Sequence, residues 1–566
     1  MARTVAIGRQ DFEKMITRNN FYIDKTKFIR EWWESEDDVT MIARPRRFGK
    51  TLNLSMVEQF FSVQYAGRGD LFEGLAIWED EKYRKLQGTW PVIGLTFAPV
   101  KETGYEAAKV RLCQILTDLY NKNYFLLESG ILTEEEAAYF RSVTPDMPET
   151  TAVMALHKLS DFLYRYYGKK VLILLDEYDT PMQEAYVSGY WEKMAAFTRN
   201  LFNAAFKTNP HMERALMTGI TRVSRESVFS DLNNLEIITA TSEKYEDCFG
   251  FTEEEVFEVL REYGLEGQKQ EVKFWYDGFV FGRRRDIYNP WSIINYLDKK
   301  KIGMYWTNTS SNSLVGKLIQ EGSPGIKQDF EALLRGETLK TEIDEQIVYG
   351  DLGYDEKAVW SLLLASGYLK AAGSQAYMTE TGEWVQEYEL ELTNFEVKTM
   401  FRKMVRDWFG RASSDYHGFR KALLEDDLDA MNAYMNRIAA ATFSFFDTGE
   451  HAEPERFYHG FVLGLLVDFE GRYVLTSNRE SGYGRYDVLL EPGNPQDDAV
   501  ILEFKVFQQS KEKSLEDTVQ NALAQIESRN YAAGLYAKGI PEERIRKYGF
   551  AFQGKKVLIG KKESDC

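Results

Sequence analysis

The chain has 566 residues, 44% of them hydrophobic and 28% charged, with a formal net charge of −18. Such proportions fit a globular protein of roughly two to four domains, and the acidic balance excludes wholesale coating of nucleic acid. Three scattered cysteines, Cys113, Cys248 and Cys566, exclude a disulfide framework or a Cys-x-x-Cys zinc site and fit a reducing cytoplasm.

No basic-then-apolar leader opens the chain, and no apolar run approaches a membrane span; the longest candidate, 461–467, is too short. A cytoplasmic location is expected. Residues 1–250 alternate apolar strand-like runs with amphipathic helices, which predicts a parallel α/β sheet. Strands are expected near 39–43, 90–96, 171–175 and 214–219.

The first of these runs into Ile42-Ala-Arg-Pro-Arg-Arg-Phe-Gly-Lys-Thr51, and an apolar helical stretch follows. The pattern is that of a phosphate-binding loop whose first glycine is replaced by Arg44, while Gly49, Lys50 and Thr51 fit its second half. Backbone N–H groups at the helix N-terminus would face phosphate oxygens, where the helix dipole favours negative charge. Lys50 would reach the outer phosphates and the Thr51 hydroxyl would ligate magnesium. Arg44, Arg46 and Arg47 are candidates for further charge on those phosphates. A structural turn can carry the same Gly-Lys pair, so the flanking elements decide.

The third strand, Lys170-Val-Leu-Ile-Leu-Leu-Asp-Glu-Tyr-Asp179, is a continuous apolar run ending in acids, as suits a strand buried on both faces. Asp176 would hold magnesium and Glu177 would polarise the attacking water. The fourth strand ends in the polar Thr218. Residues 251–310 read as helices between aromatic turns, with Thr252 and Glu255 spaced as a capping box. Residues 311–440 read as a helix at 357–366 followed by a hairpin at 375–378 and 384–392. That combination is compatible with a winged-helix module, although no basic recognition helix is evident. The basic run Arg283-Arg-Arg285 reads as a solvated loop or a local DNA patch.

From about 441 a compact α/β unit is expected. Glu455 lies at the start of a helix, and Asp487 lies near the start of a strand. Ala499-Val-Ile-Leu-Glu-Phe-Lys-Val506 then places Glu503 and Lys505 two apart on one strand face. An acid on one strand with an acid and a lysine on its neighbour suits a magnesium-dependent phosphodiesterase. Asp487 and Glu503 would ligate the cation, and Lys505 would orient water or stabilise transition-state charge. Gln525, on a later helix, would be a polar helper. The five histidines form no competing site.

The segments Phe21-Tyr-Ile-Asp-Lys-Thr26, Arg44-Pro-Arg-Arg-Phe-Gly-Lys-Thr51 and Leu175-Asp-Glu-Tyr-Asp-Thr-Pro181 together resemble the bacterial AAA-ATPase-like proteins. So do Thr218-Gly-Ile-Thr-Arg222, Asp231-Leu-Asn-Asn-Leu235, Trp275-Tyr-Asp-Gly278 and Tyr288-Asn-Pro-Trp-Ser292. Members typically end in a PD-(D/E)XK nuclease-like domain, whose motif the strands around Asp487, Glu503 and Lys505 resemble, with Tyr486 in place of proline. The resemblance implies an AAA-like P-loop ATPase core (1–250) and a helical lid (251–310). A mixed α+β middle region (311–440) and an α/β restriction-endonuclease-like domain (441–566) would follow.

It further implies ATP and Mg²⁺ as cofactors, Thr218 in the sensor position with Arg222 just after it, and Asp24 helping to close the pocket. The expected function is an ATPase coupled to a magnesium-dependent DNA phosphodiesterase, with DNA, a further copy or another protein as partner. The alternative is an ATP-dependent regulatory switch whose nuclease-like domain is a binding module.

Overall fold

The computed structural model describes residues 3–207, 209–221, 228–229, 232–309, 313–344, 355–408, 413–446, 454–479 and 486–562. The chain divides into two compact units, one of Met1–Ser311 with Thr338–Val397, the other of Asn312–Glu337 with Lys398–Cys566. The stretch between 311 and 440 is thus shared between them.

The first unit is built on five parallel strands: β1 (Val39–Ala43), β2 (Val92–Thr96), β3 (Val171–Asp176), β4 (Met212–Gly219) and β5 (Leu235–Ile238). Their order is β2-β3-β4-β1-β5. Every residue of β1 and β3 is buried, which explains their unbroken apolar sequences. The expected strands lie where the apolar runs put them, except that the second begins at Val92. Pro91 has no N–H to give a ladder, and Trp90 makes only an isolated bridge to Ser62.

From β1 the chain crosses to the far edge strand β2, comes back through β3 and β4, and then passes β1 to place β5 on its other side. Such a reversal opens a crevice at the carboxyl ends of the strands. The helix Lys50–Phe61 starts there and packs Leu54, Val57, Phe60 and Phe61 into a core shared with Leu172, Leu174 and Leu216.

After β5, Thr252 and Glu255 form the capping box expected of them, opening the helix Glu253–Glu262. That helix, with Lys269–Tyr276 and Pro290–Lys299, surrounds a second core that takes in Phe21. A small antiparallel sheet, β6 (Phe251–Thr252), β7 (Phe279–Phe281) and β8 (Arg284–Tyr288), lies in this stretch in the order β6-β8-β7. The expected hairpin is present as β10 (Leu369–Met378) and β11 (Trp384–Leu392), preceded by the helix Glu356–Ala365. A third strand, β9 (Leu339–Glu342), adds to β11.

The second unit carries β12 (Tyr473–Arg479), β13 (Tyr486–Pro492), β14 (Ala499–Val506), β15 (Ile545–Gln553) and β16 (Lys556–Lys561), hydrogen-bonded in that order. Only the β14–β15 pair is parallel. The helix Leu515–Ser528 packs Val519, Leu523 and Ile526 against Ile501 and Ala551. Among the described residues no helix is long and apolar enough to cross a membrane.

Candidate functional site

The loop after β1 lies between the carboxyl ends of β1 and β4. Its first residue is tied to β4 by Arg44 N–H donating to Gly219 O at 3.1 Å. Gly49, the residue before the helix, has φ +82°, a conformation that glycine adopts without strain. Arg47 takes the same left-handed region at φ +66°, and its guanidinium lies 4.4 Å from the Trp291 ring centroid. Arg46 donates to Gln183 Oε1 at 3.4 Å. The carbonyl of Arg46 accepts from Asn289 Nδ2 at 3.2 Å and from Trp306 Nε1 at 3.0 Å. Asn289 also caps its own helix by accepting from Trp291 N–H.

Arg44 departs from its expected place among phosphate-binding residues. It is fully buried, its Nη1 donates to Ala43 O and to Thr239 O at 2.5 Å, and its guanidinium stacks on Phe281 at 4.4 Å. Two backbone carbonyls and an aromatic face hold it away from the cavity, which Arg46 and Arg47 do line. Burial draws its pKa down to about 10, so it stays protonated at neutral pH.

Lys50 donates to Arg44 O and Pro45 O, each at 2.8 Å, and lies across its own loop. Burial lowers its pKa to about 8, against the opposing attraction of Asp179, Asp176 and Glu177. Thr51 Oγ1 donates to Asp176 Oδ2 at 2.7 Å, and Thr218 Oγ1 donates to Asp176 Oδ1 at 2.5 Å. One carboxylate therefore joins the ends of three elements: the loop, β3 and β4. Glu177 follows at φ +50° and accepts from Thr180 Oγ1 at 3.2 Å, while its N–H donates to Thr218 Oγ1 at 3.4 Å. Glu177, Lys50, Thr51, Arg46 and Arg47 line one cavity of about 490 Å³. The same cavity is also lined by Val5, Ile23, Phe251 and Ile294.

Three other expectations meet different outcomes. Asp24 accepts from Thr26 N–H, Thr26 Oγ1 and Ala76 N–H, so it fastens the segment around 76 and does not line the cavity. Arg222 lies outside the described residues. Arg283 and Arg284 are paired with Glu243 and Glu254, and Arg285 donates to Ala372 O; the run is not a loop throughout, since Arg284 and Arg285 open β8. Within Trp275-Tyr-Asp-Gly278, burial and the neighbouring Asp286 push the Asp277 carboxyl up to about 7, and Lys273 Nζ lies 3.8 Å from it.

Residues assigned no role at the site from sequence, three of them inside quoted motifs, also adjoin it. Asn289, Trp291 and Trp306 hold the arginine loop from outside the sheet. Asp179 accepts three hydrogen bonds from residues 220–221 just past β4 and a fourth from Gln183. The Asn-Pro pair signals a helix start, but nothing in it points to residue 46.

In the second unit Asp487 on β13 is directly opposite Glu503 on β14 in the strand register. The side chains of Asp487 and Glu455 lie outside the described residues. Glu503 is fully buried, and neither carboxylate oxygen has a hydrogen-bond partner among the described residues. Lys505 Nζ donates to Gln525 Oε1 at 2.7 Å, which brings the lysine and the helical glutamine together. A buried carboxylate with orphaned oxygens is costly and calls for a proton or a cation.

The first unit thus carries a Gly-Lys-Thr loop after β1 and an Asp-Glu pair at the end of β3, on a five-stranded parallel sheet. Residues 6–229 match the family described as "Predicted AAA-ATPase", and residues 453–562 match the PD-(D/E)XK nuclease superfamily. The chain is also 23% identical over 553 residues to an uncharacterized protein in the vnfD 5′ region of Azotobacter chroococcum mcd 1, covering 95% of each. An AAA-ATPase-like region and a nuclease-like region therefore stand at the two ends of this chain.

Proposed function

We propose that the first unit binds and hydrolyses ATP and that its nucleotide state governs a magnesium-dependent DNA phosphodiesterase in the second. The observation that supports this most is the Thr51–Asp176–Thr218 network beside the cavity. It gathers hydroxyl and carboxylate oxygens, the donors a hard cation prefers, next to a lysine and two arginines. Thr51 and Asp176 would hold Mg²⁺, which would neutralise charge on phosphate oxygens when bound. Lys50 would exchange its two loop carbonyls for outer phosphate oxygens. Arg46 and Arg47 would add charge at the rim, and Glu177 would accept a proton from the attacking water. The apolar wall of Val5, Ile23, Phe251 and Ile294 suits a base. The helices between 253 and 299 would act as a lid, since Asn289 and Trp291 already hold the loop.

In the second unit Asp487 and Glu503 would hold a cation, and the Glu503 oxygens, without a hydrogen-bond partner among the described residues, fit that demand. Lys505, oriented by Gln525, would stabilise charge on the phosphorane-like transition state. The test is an assay of the full chain with ATP, Mg²⁺ and plasmid, each omitted in turn. Lys50→Ala should weaken nucleotide binding sharply. Glu177→Gln should leave binding within about threefold and lower turnover by roughly a hundredfold, the scale of losing a positioned general base. Parental hydrolysis in both variants would remove the site assignment. Nucleotide binding without any cleavage would favour the switch.

A further inference from the structure

Asp179 occupies the N-cap of the helix Thr180–Ser188, yet its side chain makes no capping bond to that helix. An aspartate there ordinarily accepts from the first free N–H groups. Asp179 instead turns to the end of β4. Its Oδ2 accepts from Ile220 N–H at 2.9 Å, Thr221 N–H at 2.9 Å and Thr221 Oγ1 at 3.0 Å. A fourth donor, Gln183 Nε2 at 2.9 Å, comes from one helical turn on, and Gln183 in turn accepts from Arg46 in the loop after β1. The residue is 1% exposed.

The packing leaves no slack. A Cβ on Gly219 would lie 2.5 Å from the Tyr178 ring and 2.9 Å from Asp179 Oδ1. Tyr178 N–H donates to Thr218 O at 3.0 Å and Tyr178 OH to Thr221 O at 2.6 Å, so the residue before Asp179 also bonds the acidic turn to residues 218 and 221. Thr218 is the residue whose hydroxyl meets Asp176 and the N–H of Glu177.

We propose that Asp179 is a positioning residue for ATP hydrolysis: it fixes the end of β4, and with it Thr218, against the Asp176–Glu177 turn and, through Gln183, against the arginine loop. This rests on the ATPase reading above. Asp179 itself is not among the residues lining the cavity. Its removal should therefore alter turnover more than binding.

The experiment compares parent, Glu177→Gln, Asp179→Asn, Asp179→Ala and Gln183→Leu as full chains, measuring affinity for a fluorescent ATP analogue and steady-state ATP hydrolysis. Asp179→Asn keeps one oxygen for the 220–221 amides but loses the charge. Asp179→Asn should bind nucleotide within about threefold of the parent while kcat falls about tenfold or more, and Gln183→Leu should show a smaller fall of the same kind. Asp179→Ala should be worse than Asp179→Asn in kcat.

If Asp179→Asn does not fold, Gln183→Leu alone carries the decision, with parental kcat in that variant overturning the proposal. If Glu177→Gln abolishes hydrolysis while Asp179→Asn and Gln183→Leu retain parental kcat, the positioning role is wrong and the ATPase reading stands. A fall in affinity equal to the fall in kcat/KM, with kcat unchanged, would show a merely structural residue. A parent that neither binds nor hydrolyses nucleotide would remove both readings together.

Discussion

Lys50 and Arg44 show how one loop uses two cations differently. The Gly-Lys-Thr spacing made the position of Lys50 legible in the sequence, at a helix start after a buried strand. Arg44 was legible as unusual but not as buried, since its partners, Thr239 and Phe281, are distant in the chain. Arg44→Ala should leave carbonyls and an aromatic face unpaired and lower stability by about 2–4 kcal/mol, measured by denaturant titration. Arg44→Gly, which restores the common loop sequence, should be no better. Lys50 offers a pH test. Its folded pKa of about 8 lies below its ordinary 10.5, so between those values the unfolded chain holds more protons. Stability of the nucleotide-free protein should accordingly rise with pH across that window. Nucleotide affinity should do the opposite, falling about tenfold between pH 7 and 9 as the ammonium is lost. Affinity unchanged to pH 9.5 would mean that the ammonium is not what phosphate meets.

Among the elements, the strands that are buried on both faces were the readable ones. β1 and β3 are almost wholly apolar with their chemistry at or just past one end, and β14 opens with the apolar run Ala499–Leu502 before Glu503 and Lys505. β5, Leu-Glu-Ile-Ile, is only four residues long and passed unnoticed, although it completes the crevice beside β1. The helix Leu428–Phe446 hides a different device. Asn432 Oδ1 accepts from Ile559 N–H at 2.8 Å, and its Nδ2 donates to Ile559 O at 2.9 Å. Asn436 does the same with Val557, at 3.0 and 2.7 Å. Two asparagines one turn apart thus stand in for a further strand along β16, the edge of its sheet. Neither is apparent from sequence, because asparagine on a helix more often marks a surface. Asn432→Ala with Asn436→Ala should cost about 1–3 kcal/mol for each pair of groups left unsatisfied. The exposed edge should also promote self-association, visible as concentration-dependent sedimentation. A double variant of parental stability would show that water serves the edge equally well.

For the whole molecule, the two acid-bearing constellations lie in different compact units, so their chemistries should separate under mutation. Glu503 gives the sharpest case. A fully buried carboxylate without a hydrogen-bond partner among the described residues destabilises the metal-free chain, and a cation would offset that cost. Glu503→Gln should therefore raise the stability of the metal-free protein by about 1 kcal/mol or more while removing cation binding. Adding Mg²⁺ or Mn²⁺ should raise the melting temperature of the parent and leave that of Glu503→Gln unchanged. Lys505→Ala should keep the metal-dependent rise and lose cleavage, because an ammonium cannot ligate the cation. ATP hydrolysis should stay near the parental rate in both variants. If divalent ions leave the parent's melting temperature unmoved and no nucleotide condition yields cleavage, the acid pair is not a metal site. The second unit would then serve as a binding module under nucleotide control.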